Sequence, residues 1–201
     1  MKKSIFFFTV LCTLVTSVAF SQVKFGVRSG TNISSYTGAP DNYPIEFGYE
    51  VGFYGGAFLE IPMAERWKIH PEVSMDYLTS EMDFEGMTYG DDGVHYYVDE
   101  FELDQFGFSV AGLVSYEIVE NFSALAGPQF TYLTYRTFGH RSSLVSEEIE
   151  EDDTALFLTG GLTYNMFGTN ILVDARANYS LTQDAGEYNL VVFQIGFGYI
   201  F

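Results

Sequence analysis

One segment limits what this chain can become more than any other. From Tyr188 to Phe201 it reads YNLVVFQIGFGYIF. Val191, Phe193, Ile195, Phe197, Tyr199 and Phe201 occupy every second position, with Val192, Gln194, Gly196, Gly198 and Ile200 between them. Side chains on a β-strand alternate between faces, so one face is bulky and apolar and the other mostly small or polar. A water-soluble sandwich would point its charges outward. No charge stands on either face here. The pattern suits a strand with lipid on one side and a packed polar lumen on the other.

The amino terminus agrees. Lys2 and Lys3 precede a mostly apolar run from Ile5 to Val15, and Ala19-Phe20-Ser21 supplies a small-x-small site. Residues 1–21 therefore read as a cleaved signal peptide and residues 22–201 as one barrel domain. The only cysteine, Cys12, lies in the apolar run. The mature chain is expected to have no disulfide, no thiolate nucleophile and no cysteine metal site. Loss of Lys2 and Lys3 takes the formal charge from −18 to −20. That charge excludes binding to nucleic acid by phosphate neutralisation.

Eight strands are expected: Val23 to Ile33, Phe47 to Ile61, Trp67 to Ser80, Gln105 to Glu117, Phe122 to Arg136, Thr154 to Tyr164, Asn170 to Leu181, and Tyr188 to Phe201. Each meets or exceeds the ~9–11 residues that a tilted strand needs to cross a bilayer. Short connections (Pro62 to Arg66, Ile118 to Asn121, Asn165 to Thr169) alternate with long ones (Ser34 to Glu46, Glu81 to Asp104, Thr137 to Asp153) and an intermediate fourth loop (Thr182 to Glu187). This is the layout of an all-β, eight-stranded antiparallel transmembrane barrel. It is an up-and-down meander with long extracellular loops and both termini periplasmic.

Charge parity sharpens the expectation. In the third strand Trp67, Ile69, Val73, Met75 and Tyr77 oppose Lys68, His70, Glu72, Ser74 and Asp76. In the seventh, Ile171, Val173, Ala175 and Tyr179 oppose Asp174, Arg176 and Asn178. A charge facing lipid at mid-depth costs ~2–4 kcal/mol, so charges belong inside. The expected lumen network is Lys24, Arg28, Glu50, Glu60, Lys68, His70, Glu72, Asp76, Glu117, Asp174 and Arg176. An eight-stranded interior is just wide enough for side chains to fill, so these groups should form ion pairs rather than line an open pore. Trp67, Tyr116, Phe122, Tyr164 and Tyr199 are expected at one membrane interface, and Tyr49, Tyr77, Phe106, Tyr132 and Tyr179 at the other. Pro128 and Pro71 fall inside strands, where a missing N–H calls for a bulge or a break.

Two connections are strongly acidic. Glu81 to Asp104 carries Glu81, Asp83, Glu85, Asp91, Asp92, Asp99, Glu100, Glu102 and Asp104 with no Lys or Arg, and Thr137 to Asp153 carries six more acids. Asp91-Asp92-Gly93 lacks the spaced ligands of a calcium loop, so only weak divalent-cation binding is expected. Catalytic, cofactor and dedicated metal sites are not expected. His70, His95 and His140 show no spacing that marks a triad.

The stretch VKFGVRSGTN after Phe20-Ser21-Gln22, the segment GFYGGAFLEIPMAERWKIHPEVSMDY and the terminal FQIGFGYIF resemble small Gram-negative outer-membrane barrels of the PorT-type "outer membrane protein β-barrel domain" group. The resemblance spans residues 23 to 201. It implies residence among outer-membrane lipid, and an aromatic end (Phe197, Tyr199, Phe201) read by the barrel-assembly machinery. It implies no catalytic residue. The leading functional expectation is a non-enzymatic structural or surface-interaction barrel. The alternatives are an accessory component of an outer-membrane secretion or envelope-assembly system with a secretion-system or surface protein partner, and a lipid-modifying enzyme or small channel.

Overall fold

A backbone crossing lipid must satisfy every N–H and C=O within the protein, and a sheet does so only by closing. In the computed structural model nine strands form among the described residues, and eight of them close. The structure describes residues 23–38, 45–90, 93–140, 146–149, 153–182 and 188–201, with backbone alone at 45–46, 82, 84–90, 93–102, 134–140 and 146–149. The segment 1–22, and with it the expected signal peptide, lies outside the described residues.

The strands are β1 (Lys24–Thr37), β2 (Ile45–Pro62), β3 (Trp67–Gly90), β4 (Gly93–Val119), β5 (Phe122–His140), β6 (Ser146–Ile149), β7 (Asp153–Asn165), β8 (Ile171–Ser180) and β9 (Asn189–Ile200). Each barrel strand pairs antiparallel with its sequence neighbours, β5 passing over β6 to pair with β7. β1 closes the ring against β9, with Gly26 opposite Ile200 and Ser35 opposite Val191. The short β6 pairs with the end of β5, Arg136 opposite Ile149.

Burial is inverted relative to a soluble sandwich. Ile195 is 62% exposed and Phe197 63%, whereas Gln194 between their faces is 2% exposed. Among the described residues the charged side chains that are exposed are Lys24, Glu65, Arg66 and Glu120, all at strand ends or turns. The belt between is apolar, as a hydrocarbon neighbour requires. Rings mark its edges. Trp67 stands 4.7 Å from Tyr116 at one rim, and Phe53 stacks on Tyr77 at 5.0 Å near the other.

At one end the turns are tight. Asn121 (φ 66°) reverses β4 into β5, and Gly168 (φ 71°) sits in the β7–β8 turn, where a left-handed backbone suits Asn and Gly. At the opposite end pairing runs well past the barrel. β3 and β4 stay paired from Glu81 opposite Glu102 out to Gly90 opposite Gly93. The acidic segment expected as a long loop is thus largely a β-hairpin. Its Val, Tyr and Phe content (Val94, Tyr96, Tyr97, Val98, Phe101) favours strand despite the like charges.

The prolines resolve without a bulge. Register between β4 and β5 is the same on both sides of Pro128, with Ala111 opposite Gln129 and Val114 opposite Ala126. Pairing simply lapses between those points. The same happens at Pro71, between Phe58 opposite Glu72 and Ile61 opposite Ile69. The irregularities lie elsewhere, at Tyr49/Phe53, Phe106/Gly107 and Glu117/Val119. Losing one donor costs less than shifting a register that would turn every side chain to the wrong face.

Candidate functional site: the sealed lumen

The inward side chains form three layers. Nearest the long connections is an apolar layer of Tyr36, Leu78, Leu103, Leu133, Phe157 and Leu190, with Phe47 and Tyr188 packed on it. Toward the tight turns are Phe58, Leu172 and Ile200, with Leu113 and Leu125 in a neighbouring cluster. The polar layer lies between.

Its centre is Arg28 on β1. Arg28 Nη1 donates to both oxygens of Asp174 at 3.0 Å, and Nη2 donates to Gln194 Oε1 at 3.0 Å. Arg28 Nε lies 2.7 Å from Glu72 Oε1, an ion contact rather than an aligned hydrogen bond. The guanidinium also lies 4.5 Å over the Tyr54 ring. Arg176 Nη1 donates to Glu72 Oε2 at 2.9 Å, and its Nε is 3.8 Å from Asp174 Oδ2. Tyr54 Oη donates to Asp174 at 3.3 Å. These groups reach across the barrel from β1, β2, β3, β8 and β9. Here one nitrogen serves both Asp174 oxygens; charge-assisted hydrogen bonds of this kind, buried away from bulk solvent, are stronger than neutral ones.

Asp76 joins through Gln194, whose Nε2 donates to Asp76 Oδ1 at 3.2 Å. Its other oxygen accepts from Ser109 (2.6 Å) and Ser74 (3.1 Å). His70 stacks on Phe58 with ring centroids 4.5 Å apart, and its Nε2 stands 3.7 Å from Glu72. Lys68 and Glu60 form a separate pair at 3.1 Å near the tight turns.

The expected network residues therefore divide. Arg28, Glu72, Asp76, Asp174 and Arg176 share one hydrogen-bonded cluster, with His70 beside it. Lys68 and Glu60 pair apart from it. Lys24 is exposed at the rim; Glu50 stands opposite Ser34 near the long connections, and Glu117 opposite Ser123 near the tight turns. All three lie away from the cluster, because inward parity does not set height along the barrel. The expected network does not include Gln194, Tyr54, Ser109, Gln129 and Asn178, although strand parity puts Gln194 and Asn178 on the inward face. Among the aromatic end residues, Phe201 stacks on Phe25 at 5.5 Å, Tyr199 meets Phe201 at 5.1 Å, and the Phe201 N–H donates to the Phe25 carbonyl at 2.8 Å. Phe197 faces outward in the same strand.

Among solved structures, the chain is similar to Ail, the attachment invasion locus protein of Yersinia pestis. In its complex with the heparin analogue sucrose octasulfate, Ail matches with a TM-score of 0.52 and 18% identity over 89% of this chain and 99% of that one. Ail alone gives 0.51 and 16%, over 89% and 98%. These likenesses show the fold of a small outer-membrane barrel. No curated protein matches the sequence. Residues 18–184 match the family described as outer membrane protein beta-barrel domain. With its closed eight-stranded ring, apolar belt and polar lumen, the chain belongs to that outer-membrane β-barrel family.

Proposed function

We propose that this barrel is a non-enzymatic surface protein that presents an acidic, strand-paired platform to a protein partner outside the cell. One observation carries the reading. The β3–β4 hairpin extends to Gly90 and Gly93, beyond the last partner of β2 (Phe84, opposite Ile45) and the last of β5 (Phe101, opposite His140). Among the described residues, no further strand covers its two edges from Glu85 onward. Open edges accept an added strand, with backbone hydrogen bonds giving affinity and side chains giving selectivity. The apolar layer at the base of this end, with Leu78 on β3 and Leu103 on β4, roots the hairpin in the barrel. The tight turns, and with them both termini, then face the periplasm.

Charge selects the partner. The acids of the 81–104 and 137–153 connections favour a Lys- or Arg-rich extended segment and disfavour a polyanion. Ail is seen with a sulfated sugar; this platform has the opposite preference. An enzymatic reading has less support. His70 is buried under Phe58 in the sealed lumen, where lipid does not reach.

Binding of basic and acidic β-prone peptides to the protein in nanodiscs tests this. The basic peptide should bind with a steep salt dependence and lose affinity when residues 85–98 are replaced by a two-residue turn. Equal affinity for both peptides sinks the idea. A protein partner held equally well by the shortened barrel would favour the accessory role that the PorT-type resemblance implies.

A further inference from the structure

Within the polar layer is a small, partly enclosed cavity of about 10 Å³. That is room for one water-sized particle. Asp76, Gln129, Thr131, Asn178 and Gln194 line it, with Leu78 and Phe157 on the side of the apolar layer. Two observations point to an occupant. Asn178 is 2% exposed, its Nδ2 donates to the Val192 carbonyl at 3.4 Å, and its Oδ1 has no hydrogen-bond donor. A buried carbonyl oxygen left without a donor costs its full desolvation.

The second observation is charge. The fully buried cluster holds two guanidiniums, Arg28 and Arg176, against three carboxylates, Glu72, Asp76 and Asp174. Both arginines are committed to Glu72 and Asp174. Lys68 is engaged with Glu60. His70 Nε2 faces Glu72 at 3.7 Å and makes no hydrogen bond, so it supplies nothing to Asp76. Asp76 is therefore the carboxylate without a cation of its own. Its bonds to Ser109, Ser74 and Gln194 come from neutral donors. An uncompensated buried charge is strongly destabilising.

We propose that the cavity beside Asp76 is a binding site for one dehydrated monovalent cation, with sodium fitting better than larger ions. The Asp76 carboxylate supplies the charge, and Asn178 Oδ1, Gln129 Oε1 and Thr131 Oγ1 supply neutral oxygens. All-oxygen ligands with a single carboxylate suit a hard cation of low charge. A water would satisfy Asn178, but the charge excess would then stand unless Asp76 took up a proton; sodium-dependent stability separates the two. Apolar layers flank the site on both sides, so the ion enters as the barrel closes and exchanges slowly afterwards.

The full chain, refolded from urea into micelles in sodium, potassium or choline chloride at equal ionic strength, tests this. Sodium at about ten times its half-saturating concentration should favour the folded state about tenfold over choline. Asp76→Asn should abolish the difference, and Asn178→Ala should raise the sodium concentration needed. Equal stability of the unsubstituted protein in sodium and choline overturns the proposal, as does an undiminished sodium effect in Asp76→Asn. If Asp76→Asn does not fold, a crystal structure of the unsubstituted protein refolded in sodium decides. A peak in the cavity whose oxygen contacts are shorter than the ~2.7–2.8 Å of a water's hydrogen bonds supports the site, and a peak at hydrogen-bond distances, a water, overturns it.

Discussion

Replacing Arg176 with methionine should destabilise the barrel by about 3–5 kcal/mol, the range for breaking a buried ion pair from one side. The side chain is 0% exposed, and its guanidinium lies 2.9 Å from Glu72 and 3.8 Å from Asp174. At an effective dielectric of about 20, a unit pair at that 2.9 Å separation is worth roughly 6 kcal/mol, an upper bound for that contact. Two effects reduce it. Methionine removes the cost of burying a guanidinium whose Nε and Nη2 have no hydrogen-bond partner. It also relieves repulsion from Arg28, which both carboxylates then share. Urea unfolding in micelles, followed by fluorescence of Trp67, the only tryptophan, measures the loss. The midpoint should fall with an unchanged slope. The double replacement Arg176→Met with Glu72→Leu should recover most of the loss, because neither charge is then left alone. A single-variant loss below about 1 kcal/mol would refute the reasoning, since that is the scale of a solvent-screened surface pair. So would a double variant no more stable than Arg176→Met.

Four other outcomes are expected. Phe201→Asp should lower the yield of membrane-inserted, heat-modifiable protein, because it puts a charge against Phe25 and Tyr199 at the closing seam; a normal yield would contradict this. In planar bilayers the protein should show no porin-sized conductance, since apolar layers flank the ion-paired layer; steady openings that respond to Glu72→Ala would promote the channel reading. Gly196→Leu should destabilise by at least about 2 kcal/mol on denaturant titration, because a Cβ there collides with Tyr54 Oη and the Ser29 carbonyl; a change within 0.5 kcal/mol, about the scatter of surface substitutions, would show that Tyr54 gives way freely. Millimolar Ca²⁺ should slow proteolysis within residues 81–104 and 137–153 through weak carboxylate bridging; unchanged rates, or one tight stoichiometric site by calorimetry, would exclude that.

Period-two alternation in YNLVVFQIGFGYIF, and the parity of charge in strands such as Trp67 to Ser80, determined on their own which residues face lipid and which face inward. A strand has only two faces, and a charge in hydrocarbon is too costly to tolerate. Strand number followed from the same local patterns and turn signals. Height and partnership did not. That Arg28 meets Asp174 and Glu72, while Lys24 four residues away stands exposed at the rim, depends on the stagger of eight strands around the ring. No single strand encodes that stagger. The hairpin beyond Glu81 was likewise hidden, because its dense acids read as a solvated loop, whereas cross-strand pairing with β4 makes it sheet. The division of the lumen into apolar, polar and apolar layers, with a cavity beside Asp76, arises only when inward residues far apart in sequence converge at one level. Faces are a local property of a strand; levels and cavities belong to the closed barrel.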